Sequence, residues 1–116
     1  SLVSQSKQLT TPAAADSIDS SNGQEDHVSM GANGALKLWR ILDNAEQVLA
    51  VEALCAGQAC DLRGSADGLA PGISGLQQSL RKEVPFLEED AFMQPLMLAA
   101  RAWLFEGEGA ERVKMR

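Results

Sequence analysis

Gln24, Glu25, Asp26 and His27 place a carboxamide, two carboxylates and an imidazole at four consecutive positions. In a helix they would fall within about one turn on the end of a rigid element, which suits general acid–base work or the binding of a polar substrate. They lie in the segment DSIDSSNGQEDHVSMG, from Asp16 to Gly31. The same residues also describe an ordinary helix start. Ser21 with Gln24, or Asn22 with Glu25, has the spacing of a reciprocal capping box, and Gln24, Glu25 and Asp26 would fill a first turn where acids meet the positive end of the dipole. Caps are far commoner than active sites, so the residue pattern alone leaves both readings open. His27 is the only histidine, which rules out a multi-histidine metal site or a histidine triad within the chain, and packing or capping outweighs catalysis for it. Gly107 and Gly109 follow no strand and form no phosphate loop, and no G-x-S-x-G elbow occurs. No metal site is expected.

The elements that would carry these residues read as all-α. Leu2, Val3, Ser6 and Leu9 show helical spacing with nothing before Ser1 to start a helix, so residues 1–9 are expected to be the end of a truncated helix. Residues 10–23 are rich in Thr, Pro, Ala, Asp, Ser, Asn and Gly and read as a long loop of the active-site type. Residues 24–63 read as one long core helix that begins near Ser21 or Asn22. Leu38, Ile41, Leu42, Ala45, Val48, Leu49, Glu52, Cys55, Ala59 and Leu62 form its apolar stripe, and Leu36, Trp39, Val51 and Leu54 lie outside it. A helix of about 40 residues is about 60 Å long, more than a lone domain of this size covers, and therefore it needs partners. Residues 64–116 form a C-terminal helical segment. A flexible Arg63–Gly72 connection leads to a short helix from Ile73 to Val84 and a last helix over Glu88–Phe105 that is kinked or delayed by Pro95. The tail from Glu106 has no strong pattern. No run alternates long enough for a strand.

At 116 residues the chain is one domain or part of one, and 45% hydrophobic with 22% charged residues is the composition of a folded protein. A net charge of −6 without a basic cluster argues against nucleic acid. The apolar runs Val48–Ala59 and Pro95–Phe105 are too short to span a membrane and carry Glu52 and Arg101. Ala13–Ala15 could serve as a signal-cleavage site, but no apolar region precedes it, so a cytoplasmic protein is expected. Cys55 and Cys60, on one helix, are separated by a rise of about 7.5 Å and a turn of about 140°. They are expected to be free, buried thiols.

QEDHVSMG at Gln24–Gly31, preceded by PAAADSIDSSNG at Pro12–Gly23 and followed by AEQVLAVEALCAGQACDLR at Ala45–Arg63, resembles the C-terminal region of the histidine ammonia-lyases. The similarity is close over Leu2–Arg63, and VPFLEED at Val84–Asp90 resembles the family's tail more loosely. Lyases and aminomutases acting on phenylalanine or tyrosine share the architecture, but phenylalanine lyases typically have glutamine where Glu25 stands.

The resemblance implies a mainly helical homotetramer with a central helix bundle, L-histidine as substrate, and ammonia eliminated to leave urocanate. It implies a methylidene-imidazolone (MIO) electrophile made from an internal Ala-Ser-Gly. This sequence has neither that tripeptide nor any tyrosine, so the chain is expected to be an inactive C-terminal segment whose partners are the rest of the lyase chain and the other subunits. Carried over by position, the family's acidic active-site group falls on Glu25, as catalytic or substrate-binding residue, with Gln24 lining the same pocket. At a helix N-terminus the dipole would make Glu25 an acceptor for the imidazole N–H, whereas desolvation would make it a base. Two alternatives stand beside this reading: a tyrosine or phenylalanine ammonia-lyase or aminomutase segment, and a non-catalytic helical oligomerisation module.

Overall fold

The computed structural model describes residues 1–64 and 68–114. Among these residues are five α-helices: α1 (Leu2–Gln8), α2 (Gly31–Leu62), α3 (Pro71–Glu83), α4 (Met93–Phe105) and α5 (Glu108–Lys114). Single helical turns lie at Ala13–Ala15 and Ser21–Gly23. Extended pairing among the described residues is limited to one isolated antiparallel bridge, Ser20 with Glu25. The fold is all-α, as expected. Part of the connection expected over Arg63–Gly72 lies outside the described residues. The chain divides into two compact units, Ser1–Ala45 and Glu46–Arg116.

In the first unit, α1 is held by a polar contact. Asn44, 7% exposed, donates from Nδ2 to Gln5 Oε1 and to Ser6 Oγ, both at 3.2 Å. The loop that follows is pinned at Thr11, whose carbonyl accepts from Lys37 Nζ at 2.8 Å.

The start of α2 differs from the expectation. The helix begins at Gly31, not near Ser21, and its first turn holds no acidic residue. The capping-box geometry requires an extended N-cap, whereas Ser21 and Asn22 have φ of 51° and 62°. Asn22-Gly23 is a dipeptide that favours left-handed turns, and that local preference closes a tight loop and moves the helix start eight residues on from Gly23.

The second unit packs Ala50, Leu54, Leu80, Val84, Ala100 and Trp103 into one core. Gly57 lets α3 approach, since a Cβ there would lie 2.7 Å from Leu80 Cδ2. Gln58 acts as a substitute backbone partner for the segment after α3, donating to Leu87 O at 2.6 Å and accepting from Leu87 N at 3.2 Å. Asp61 accepts from Gln77 at 2.8 Å and from Arg81 Nε at 2.6 Å, and Glu46 accepts from Arg101 Nη2 at 2.7 Å.

At about 100° per residue, Ala50, Leu54 and Gly57 share one side of α2, and Val48, Glu52 and Ala59 lie opposite. The expected apolar stripe is thus not the face this chain buries: Leu38, Leu42, Leu49 and Leu62 are all exposed. Cys55 is exposed and Cys60 half-buried, and both are free, which corrects the expectation of buried thiols. Cys55 lies on the side of α2 that the core leaves uncovered, whereas Cys60 borders a groove against α3 with Ser74, Gln77 and Arg81.

α3 starts with Pro71 at its first position, where the missing N–H costs nothing. The last long helix starts at Met93, so Pro95 falls in its first turn and introduces no kink, resolving the Glu88–Phe105 expectation as a late start. Beyond Phe105 the chain forms α5 over Glu108–Lys114: Gly107 and Gly109 pack tightly on Trp103, and a Cβ at Gly109 would lie 2.8 Å from Trp103 O. No helix among the described residues is long and apolar enough to cross a membrane.

Candidate active site

The segment from Ser17 to Val28 folds back on itself. Ser20 N–H donates to Glu25 O at 3.0 Å, and Glu25 N–H donates to Ser20 O at 3.2 Å. Between them, Ser21, Asn22 and Gly23 have φ of 51°, 62° and 82°. Three successive left-handed residues are costly for Ser21 and tolerable for Asn22 and Gly23, and they reverse the chain within four residues. Gly23 N–H to Ser20 O at 3.1 Å and Gln24 N–H to Ser21 O at 3.3 Å close the turn.

A second tie lies three residues further out on each side. Ser17 Oγ accepts from Val28 N–H at 2.9 Å and faces Val28 O at 3.4 Å. The two ties keep one antiparallel register, with side-chain oxygen supplying the outer rung.

The turn also sets the carboxylate of Glu25. Its Oε2 accepts a hydrogen bond from Ser20 Oγ at 2.8 Å. Glu25 is therefore held by the loop itself, not by a helix N-terminus, and the dipole reasoning for its charge does not apply. Gln24, Glu25, Asp26 and His27 are all exposed in this chain. His27 borders a groove of about 320 Å³ whose walls include Pro12, Asp16, Met30, Gly31 and Gly34. Among the described residues, no group of three or more His, Cys, Asp or Glu side chains could hold a metal ion.

The sequence reading singled out Glu25 and Gln24. It missed Ser17 and Ser20, whose importance depends on the chain reversal. The signal for that reversal was present as Asn22-Gly23, flanked by residues able to pair.

The model of the family described as aromatic amino acid lyase matches residues 1–82. The chain belongs to the aromatic amino acid lyase family. Among curated members, it is 51% identical over 90 residues to the histidine ammonia-lyase of Natranaerobius thermophilus, covering 78% of this chain and 18% of that protein. It is 41% identical over 107 residues to that of Halalkalibacterium halodurans, covering 92% and 21%. The chain thus spans about a fifth of the length of the curated lyases it matches. The crystal structure of histidine ammonia-lyase from Trypanosoma cruzi superposes with a TM-score of 0.89 at 34% identity, over 98% of this chain and 22% of that one. The tyrosine aminomutase of Streptomyces globisporus gives 0.86 at 33% identity, again over 98% and 22%. The helical arrangement is therefore shared with proteins named for different substrates.

Proposed function

We propose that this segment forms part of a longer histidine ammonia-lyase chain, in which Glu25 binds the imidazole of L-histidine and Gln24 lines the same pocket. The observation that carries the reading is the carboxylate of Glu25 held by Ser20 at 2.8 Å within the QEDHVSMG block. With Oε2 engaged, Oε1 is free to accept the imidazole N–H, and the bond is charge-assisted when the ring is protonated. That geometry favours an orienting acceptor, because the Ser20 hydroxyl fixes one carboxylate oxygen and so sets the direction in which the other meets the ring.

The histidine ammonia-lyase names of the relatives support the substrate. The likeness to a tyrosine aminomutase favours a second reading, the same scaffold acting on tyrosine. The chain has no Ala-Ser-Gly and no tyrosine, so the MIO electrophile implied by the resemblance has no source within these residues and no step is assigned to it. The 116-residue chain alone is accordingly inactive. The uncovered apolar side of α2 supports assembly with the rest of the lyase chain and with further subunits as a homotetramer.

The test is the product. Full-length lyase carrying this segment, given L-histidine, L-tyrosine and L-phenylalanine in parallel, is expected to release urocanate, read by its absorbance. Preferential release of coumarate or cinnamate, or a β-amino acid product, would overturn the histidine assignment. No product from any of the three would favour the non-catalytic module.

A further inference from the structure

We infer that Ser20 is a positioning residue for the substrate-binding carboxylate, and that the left-handed turn Ser21–Gly23 exists to bring its hydroxyl to Glu25. The inference rests on the reading of Glu25 given above and adds what holds that side chain in place.

A glutamate on an exposed loop has three rotatable side-chain bonds and no intrinsic reason to point one way. Here two constraints act together. The backbone bonds between Ser20 and Glu25 fix the two Cα atoms opposite each other, at 3.0 and 3.2 Å. The side-chain bond from Ser20 Oγ, 2.8 Å long, then fixes the carboxylate. Ser17 on Val28 keeps the same register three residues out, so the two rungs resist fraying of the loop.

The turn between them is the strained part. Non-glycine residues at positive φ persist where surrounding bonds over-determine them, and such strain gathers at functional sites. An unstrained connection of another length would change the register, and a slip of one residue would turn the Ser20 hydroxyl to the opposite side from Glu25. The Ser20 hydroxyl is spent on the Glu25 carboxylate and acts on substrate only through it.

The experiment is a double-mutant cycle in the full-length lyase with L-histidine as substrate. Ser20→Ala keeps the backbone rung and removes only the hydroxyl. Loss of a charge-assisted bond that orients a binding group predicts about a tenfold rise in KM with kcat changed by less than about twofold. Ser20→Thr, which retains the hydroxyl, is expected to keep KM within about twofold of the unaltered enzyme, because the donor is preserved. In a Glu25→Ala background, Ser20→Ala is expected to add nothing, because there is no carboxylate left to place.

An unchanged KM for Ser20→Ala, while Glu25→Ala loses activity, would overturn the positioning role and leave the Glu25 reading standing. An equal Ser20→Ala effect in both backgrounds would also overturn it, by showing a structural role independent of Glu25. Unchanged kcat/KM in Glu25→Ala would instead remove the reading on which the inference rests.

Discussion

Trp103 illustrates how a single residue ties the second unit together. The residue is 6% exposed, Gly109 packs against its ring, and its indole Nε1 donates to the buried Ser79 Oγ at 3.0 Å. Ser79 in turn donates its own hydroxyl hydrogen bond to Leu76 O at 3.0 Å, so both polar groups are satisfied. Ser79→Ala would leave the indole N–H buried without a partner and is expected to destabilise the chain by about 1–3 kcal/mol. The midpoint and slope of urea unfolding check this, and an unchanged midpoint would show that the bond contributes nothing net. Of the residues proposed for the site, Glu25 was legible because the QEDHVSMG block is contiguous. Ser20 was not, because its partner is defined by a chain reversal and not by proximity along a helix. Both lie in the same twelve residues, but only one of them announces itself by type.

The elements were legible where local chemistry decides them. Pro71 marks the start of α3, and Pro95 forces the late start of α4. The first turn of α2 was misplaced because two local preferences compete for the same residues. Acids after Ser or Asn favour a helix start, Asn-Gly favours a left-handed turn, and the bonds between Ser20 and Glu25 let the turn prevail. α5 was missed for a different reason. Its seven residues have little periodicity of their own and are held by contacts with the remainder of the unit.

One of those contacts depends on pH. Lys82 at 2.8 Å and Arg112 at 3.0 Å hold the carboxyl of Glu108 below its ordinary value of 4.5, the hydrogen bond from Lys82 being the largest cause. A carboxyl lowered on folding stabilises the fold above its unfolded value, and the effect is lost as pH falls through the folded one. The thermal midpoint of the unaltered chain is therefore expected to exceed that of Glu108→Gln slightly at pH 7. The gap should close on acidification below about 4.5 and shrink in high salt. A gap independent of pH would contradict the pairing.

For the whole molecule, the deciding feature is how much apolar surface stays uncovered. Trp39 is 70% exposed, Leu62 71% and Phe92 75%, while the core has six residues, two of them alanine. Scattered exposed leucines are ordinary, but a run of them on one helix marks an interface. The sequence conveyed this as a helix with more apolar faces than one small domain could cover. It did not convey which face this chain buries, because that depends on the small residues Ala50 and Gly57, which carry no strong periodic signal. The 116-residue chain is expected to self-associate in sedimentation at high concentration, and Leu42→Lys with Leu49→Lys should shift it toward monomer. A monomeric profile of the unaltered chain would count against an interface on α2.

The central claim is that a loop-held carboxylate at position 25 meets the substrate in a lyase assembled around this segment. The direct measurement is kcat/KM for L-histidine in the full-length enzyme with Glu25→Gln. A charge-assisted contact to the imidazole predicts a fall of about 10- to 100-fold. A value equal to that of the unaltered enzyme would contradict the account.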